Sequence, residues 1–254
     1  MTHKQHGSDI RENTSRNTHN VVEGLLLQED SIRKVLDVPC GEGAFTNRML
    51  AKGIDVYAGD CENIIKAPDA KWVGCDMNQP LPFEDHEFDA IVCIDGIEHV
   101  ERPFDFVREC SRVIRKEGAL IVSTPNISSL RSRWRWFLTG FHNKGKTPLN
   151  EDRPSPLHHI GLLSFAGIRY MLHTNGFRIA SITCNRIKAI SWVYSFFVPF
   201  AYIITAWVFH KEEKDVDQRR RNKTILRQMF LKEVLFGETL IVKAVRCSLL
   251  SIHK

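Results

Sequence analysis

The run Phe88–Ile94 reads FDAIVCI, in which Asp89 is the only charged residue. A strand with water on one face alternates apolar and polar side chains. A strand apolar at nearly every position needs cover on both faces, the condition met inside a parallel sheet flanked by helices. Ala119–Ser123 has the same character, and Lys34–Val38, Ile54–Gly59 and Trp72–Cys75 are shorter strand-like runs upstream. Segments of helical spacing separate them. Val22, Leu25, Leu26 and Ile32 share one side of Val21–Arg33; Phe45, Met49 and Leu50 mark Ala44–Lys52, which stops at Gly53. Pro103 opens a helix in which Phe104, Val107, Cys110 and Ile114 recur every three or four residues. Ser164 is placed to cap a helix carrying Phe165, Ile168, Met171 and Leu172, ended by Asn175-Gly176. Phe177–Thr183 and Glu238–Val245 supply two last strands. Alternating strands and helices predict an α/β fold built on a doubly wound, mostly parallel sheet.

Composition narrows the class. The 254 residues are enough for one large α/β domain, with or without a small appendage. An apolar share of 43% with 26% charged residues excludes wholesale disorder and a polytopic membrane protein. The net charge of +5 permits a polyanion or an anionic membrane as partner. Seven cysteines are scattered without a CxxC pair, several inside apolar runs, which points to a reducing compartment. Residues 1–20 are polar and lack an apolar core of the signal-peptide kind, so they read as a flexible polar N-terminus.

The chemistry concentrates in Val35–Thr46, VLDVPCGEGAFT, where a buried strand runs through a glycine turn into a helix. Gly41 and Gly43 allow close approach of a ligand to the backbone, and the helix start offers free N–H groups. A dinucleotide site of the G-x-G-x-x-G kind would need a third glycine where Thr46 stands, so that fingerprint fails.

Here the chain resembles the class I S-adenosylmethionine-dependent methyltransferases, whose D-x-G-C-G-x-G turn matches Asp37–Gly43 with one departure, Pro39 for the first glycine. The similarity continues in order through Asp60-Cys61, Asp76-Met77, the LPFEDHEFD stretch Leu81–Asp89, Gly96–Val100 and Glu117–Asn126. The resemblance implies a seven-stranded Rossmann-like sheet whose last strand is antiparallel, and S-adenosyl-L-methionine as cofactor. It also implies cofactor contacts from Asp37, Pro39, Cys40, Gly41, Gly43, Asp60, Cys61, Asp76, Met77 and Ile94. Asp60 would hold the ribose hydroxyls, since a carboxylate offers two acceptor oxygens to a vicinal diol. Asp76 and the N–H beside it would read the adenine.

Methyl transfer to oxygen releases a proton, and a histidine titrating near neutrality is a natural acceptor. His99, just beyond the fourth strand, and His159, five residues before Ser164, are the candidates, with His158 able to replace His159 if the register differs. A packing role is the alternative for each. No metal is expected, because the His and Asp residues lack ligand spacing on a helix.

Two segments exceed a minimal domain of this kind. In Ser128–Gly140, a helix would align Leu130, Trp134, Phe137 and Leu138 in one stripe flanked by Arg131, Arg133 and Arg135, as suits an anionic membrane surface or a substrate lid. Ala189–Phe209 contains no charge over about the length that spans a bilayer. Strands on either side must join one sheet, so a hairpin bent at Pro199 is expected, entering one leaflet from the cytoplasmic side or capping the substrate. The domain scheme is then 1–20 N-terminus, 21–126 cofactor half, 127–188 substrate half, 189–209 apolar hairpin, and 210–254 basic linker with the last strand. Asn126–Gly140, His159-Ile160 and the apolar insert also resemble bacterial methyltransferases of cell-surface glycan assembly. That resemblance implies an amphiphilic or lipid-linked acceptor, with a quinone-type acceptor or a non-catalytic membrane-bound binding protein as alternatives. The expected place is cytoplasmic, peripheral or monotopic at the inner membrane face, without nucleic acid as partner.

Overall fold

The computed structural model describes residues 10–247. Seven strands form a single sheet: β1 Lys34–Asp37, β2 Asp55–Asp60, β3 Lys71–Gly74, β4 Phe88–Ile94, β5 Ile114–Pro125, β6 Phe177–Cys184 and β7 Thr239–Arg246. Their order is β3-β2-β1-β4-β5-β7-β6, with β7 antiparallel to both neighbours and the other pairings parallel. The sheet is the Rossmann-like one expected. Eight α-helices accompany it among the described residues: α1 Thr18–Leu26, α2 Ala44–Leu50, α3 Pro103–Val113, α4 Leu130–Thr139, α5 Phe165–Thr174, α6 Val198–Glu212, α7 Val216–Met229 and α8 Lys232–Phe236.

The apolar run in β4 is used on both faces. Phe88, Ile91 and Cys93 join the core formed with α3 and α5, while Ala90, Val92 and Ile94 join the core formed with α1 and α2. Chain order reverses between β1 and β4, and the crevice beyond their C-terminal ends is where such sheets hold ligands.

Three expectations need correction. Over residues 10–20 the polar N-terminus is not free. Asn17 Nδ2 donates to the Asn185 carbonyl at 2.9 Å, Asn185 Nδ2 donates to the Arg16 carbonyl at 3.0 Å, and Thr18 and His19 are buried. Apolar periodicity could not reveal an anchorage made by amides. The helix that follows also starts at Thr18 and ends at Leu26, short of Arg33. Residues 1–9 lie outside the described residues, as do 248–254.

The stretch after residue 210 is not a linker. Asp215 caps α7 by accepting from the Gln218 N–H at 2.6 Å, Leu226 is buried, and Gln228 bonds to Arg169 of α5. Helix α8 then buries Val234, Leu235 and Phe236. The charges that suggested a linker are the solvent face of a packed helix.

Nor does a hairpin form at Pro199. Ala189–Phe197 winds as a 3-10 helix and runs straight into α6, whose first turn contains Pro199. A proline there removes an N–H that has no helical partner in any case. The chain reverses only after α6, where α7 packs alongside it. Helix α6 has no buried residue.

Candidate active site

The glycine turn after β1 is held from two sides. Asp60, at the end of β2, accepts the Gly41 N–H at 2.8 Å through one carboxylate oxygen; the other lies 3.5 Å from the Cys61 thiol. A Cβ on Gly43, at φ +84°, would lie 2.8 Å from Ile65 Cγ1, so only glycine fits. Above Gly41 nothing lies within 4 Å of a built Cβ, leaving the backbone open to a ligand beside Asp60. Pro39 finds its place against Gly96, where an added Cβ would approach the proline Cδ to 2.2 Å. The departure from the glycine pattern is thus matched by a glycine on the next strand's exit.

Asp37 is 1% exposed and accepts from Thr46 Oγ1 at 2.6 Å. Burial pushes its carboxyl up to about 7; the Thr46 bonds oppose the rise and the Asp60 charge adds to it. Thr46, the residue that spoils the dinucleotide fingerprint, ties strand β1 to α2. Asp76 stands two residues past β3, exposed, accepting from the Asn78 N–H at 2.8 Å, and Met77 packs on the core beside it. Cys40 is buried and burial pushes its thiol up; Cys61 is exposed. Ile94 is buried at the end of β4.

The residue after Ile94 escaped the sequence reading. Asp95 has φ +45°, a strained backbone for a non-glycine residue, held by its N–H to Ser123 Oγ at 2.9 Å and by Ser123 Oγ donating to Oδ1 at 2.7 Å. Glu98 was missed too. It is 1% exposed and accepts from Thr124 Oγ1 at 2.9 Å; burial, then the Asp95 charge, pushes it up to about 8.

Both candidate histidines come together here. Their rings lie edge to face with centroids 4.8 Å apart. His99 Nδ1 is 3.0 Å from the His158 carbonyl. A carbonyl only accepts, so Nδ1 carries a proton, and in the neutral ring Nε2 is the nitrogen with the free lone pair. His158 therefore contributes its backbone, not its ring. His159 is held below the usual imidazole value by burial and then by His99, and its Nδ1 is buried without a partner. The Gly161 N–H donates to the Glu98 carbonyl at 2.8 Å, fastening the loop to the end of β4. Donor atoms of Glu98, His99 and His159 fall within 4.8 Å of one another. Such a set suits proton handling and has the donors to take a cation, although residues 60 positions apart in sequence carry no ligand spacing.

Depressions open among the described residues. One, of about 460 Å³ and lined by Tyr57, Leu81, Phe83 and Glu87, shares no residue with this cluster. Another, of about 140 Å³, borders the end of β5 and reaches Lys144.

Apolar side chains emerge beside the site. Trp134, Trp136, Phe137 and Leu138 on α4, Trp192, Val193 and Phe196 before α6, and Phe200, Ile203, Ile204 and Trp207 on α6 are all exposed, Phe137 to 72%. Trp134 and Phe197 lie 5.4 Å apart between ring centroids, joining α4 to that helical stretch. A Ser129 cap and Gly140 at φ +72° bound α4.

Residues 36–122 match the family model described as a methyltransferase domain. A protein of Mycobacterium tuberculosis described as a "Probable S-adenosylmethionine-dependent methyltransferase" is 34% identical over 114 residues, covering 42% of this chain and 41% of that relative. The ubiquinone biosynthesis O-methyltransferase of Neisseria meningitidis is 28% identical over 106 residues, 37% of this chain and 44% of its own. The chain thus spans less than half the length of these two relatives. A solved S-adenosylmethionine-dependent methyltransferase of Archaeoglobus fulgidus shares the fold at TM-score 0.52 and 18% identity, covering 90% of this chain and 95% of its own. These relatives lend no support to an association with glycan assembly. The open backbone at Gly41 beside a carboxylate fits S-adenosyl-L-methionine, the cofactor that the family match implies. Residues 36–122 are thus similar to a methyltransferase domain, carried on the fold of solved S-adenosylmethionine-dependent methyltransferases.

Proposed function

We propose that the whole chain transfers a methyl group to oxygen on an amphiphilic or lipid-linked acceptor at the inner face of the cell membrane. The cofactor supplies an electrophilic methyl on its sulfonium. The chain's part is to bind, orient and exclude water, and to accept one proton. Asp60 is assigned to the ribose hydroxyls, Asp76 and Met77 to the adenine edge, and the glycine turn to the rest of the cofactor. Asp37 acts through Thr46 to hold that turn. His99 Nε2 or the neutral His159 ring takes the acceptor's proton, with Glu98 and the His158 carbonyl fixing the pair.

The carrying observation is a juxtaposition. The histidine pair follows β4 at the ligand edge of the sheet, and the exposed apolar surface begins on α4, directly after β5. Helix α6 is apolar on all sides and, apart from the face that α7 packs on, has no cover among the described residues, as expected of a helix immersed in lipid. Trp192, Tyr202 and Trp207 suit that depth, and Lys211 stands 5.0 Å above the Trp207 ring. The stretch Ala189–Glu212 has the length and composition to cross a membrane. Its neighbours favour lying along the surface instead. Helix α7 packs on both α5 and α6 and carries Arg219, Arg220 and Arg221, and Ile187 is bridged to Gly237 just before β7. A quinone-type acceptor is the second reading, favoured by the Neisseria relative.

The test incubates the protein with methyl-labelled cofactor and a membrane lipid extract, then follows the label by mass spectrometry. Label in an organic-phase product is expected. Label confined to water-soluble products would refute the amphiphilic acceptor. Failure to bind the cofactor in calorimetry would refute the enzyme.

A further inference from the structure

We propose that the cleft between the end of β5, the first turn of α4 and residues 143–146 is the subsite for a phosphoryl headgroup on the acceptor. The word acceptor rests on the methyltransferase reading above; the anion site itself does not.

The cleft holds about 140 Å³, room for roughly five water molecules. Arg131, Lys144, Lys146 and Lys188 line it, with Glu238 as the one carboxylate. Glu238 is already engaged, by Lys188 and Arg186 at 2.6 Å each. Arg131, Lys144 and Lys146 have no carboxylate partner among the described residues; Lys144 Nζ donates only to Ser15 Oγ, at 3.0 Å. Three unbalanced cations around one cleft exceed what a carboxylate would neutralise. A phosphate monoester, with a charge of about −1.5 to −2, or a diphosphate matches them better.

Two features of the walls sharpen the match. The first turn of α4, with its positive end of the helix dipole, borders the cleft through Ser129, Arg131 and Ser132. Asn126, 5% exposed, lines it as well. Its Nδ2 donates to the carbonyls of Glu233, Val234 and Gly237, which fixes the amide, and its Oδ1 has no partner. A buried acceptor without a donor is costly, and a protonated phosphoryl oxygen of the ligand would satisfy it.

Placement connects the subsite to the reaction and to the membrane. Lys144 precedes Gly145, where an added Cβ would lie 3.2 Å from Leu162, three residues past His159, and its charge bears on both Glu98 and His159. Helix α4 and the turn at Ser191, two walls of the cleft, continue into Trp134, Phe137, Trp192 and Phe196 on the exposed apolar surface. A headgroup held here leaves an apolar tail along that surface and presents its neighbouring hydroxyl towards the histidines.

The experiment measures binding of geranyl phosphate, geraniol and inorganic phosphate to the full chain by calorimetry, in wild type, Lys144→Gln/Lys146→Gln and Arg131→Gln. Geranyl phosphate should bind at least about tenfold tighter than either geraniol or inorganic phosphate. Each variant should lose about tenfold or more of that affinity, with cofactor affinity and thermal melting unchanged. Equal binding of geraniol and geranyl phosphate, as a neutral quinone site would give, overturns the proposal, as does unchanged affinity in both variants. Phosphatidylglycerol vesicles separate the two sources of phosphate. Vesicle flotation unchanged in the variants supports an acceptor subsite; flotation lost with geranyl phosphate binding overturns it in favour of a general lipid contact. Wild type that binds geranyl phosphate as expected but no cofactor supports the anion site and sinks the methyltransferase reading alone.

Discussion

Glu98 should make the fold lose stability as pH rises, and Glu98→Gln should remove that loss. The carboxyl is buried, bonded to Thr124, and moved from 4.5 in its ordinary state to about 8. Because its folded value is the higher one, the folded chain holds the extra proton. Its contribution is fully present below about pH 4.5 and is lost as pH rises through about 8. A displacement of that size corresponds to at most about 5 kcal/mol. For a chain of this length each kcal/mol moves the Tm by roughly 2–4 °C. Glutamine keeps the acceptor for Thr124 and cannot ionise. The stability gap between variant and wild type should therefore be small near pH 5 and widen to as much as roughly 10–20 °C by pH 9. Differential scanning calorimetry across that range reads it. Asp37, pushed up to about 7, gives both proteins a common slope, so only the difference between them is diagnostic. A gap that stays constant with pH would show that Glu98 is ionised in the folded chain and refute the reasoning.

Four further outcomes follow from the same geometry. Thr46→Val, which removes the 2.6 Å bond to buried Asp37, should cost about 1–3 kcal/mol in urea unfolding, and an unchanged midpoint would deny that bond its role. Gly96→Ala drives a Cβ to 2.2 Å from Pro39 Cδ and should destabilise by about 1–3 kcal/mol, while Pro39→Gly in the same chain should recover much of it; additive losses in that double-mutant cycle would contradict the pairing. His159→Ala and His99→Ala should each lower turnover by about 10²–10⁴-fold with cofactor affinity kept, and the double variant should fall little further because the pair acts as a unit. In wild type, activity should drop on the acid side, below the ordinary imidazole range, since protonation removes the lone pair; a profile with no acid limb over the range where the chain stays folded would exclude the ring as base.

The sequence alone determined the sheet. Apolar runs such as Phe88–Ile94 require cover on both faces, and strand-helix alternation leaves few ways to provide it, so type and order of the main elements were legible. The glycine turn was legible for a related reason, because Gly43 sits where no other residue fits. The histidine pair was half legible. Each ring was singled out separately, but residues 99 and 159 meet only because the Gly161 N–H binds the Glu98 carbonyl, a backbone contact that no side-chain pattern encodes. Glu98 and Asp95 were missed because nothing local distinguishes a carboxylate that will be buried, or strained at φ +45°, from one left in water. Pro199 misled for the opposite reason. Its local rule predicts a break, yet the same residue is harmless in a first helical turn, and only the winding of Ala189–Phe197 decides which case applies. The cleft at Lys144 belongs wholly to the tertiary structure. Its cations come from α4, the 143–146 loop and the approach to α6, and long-range packing alone brings their like charges to face one another.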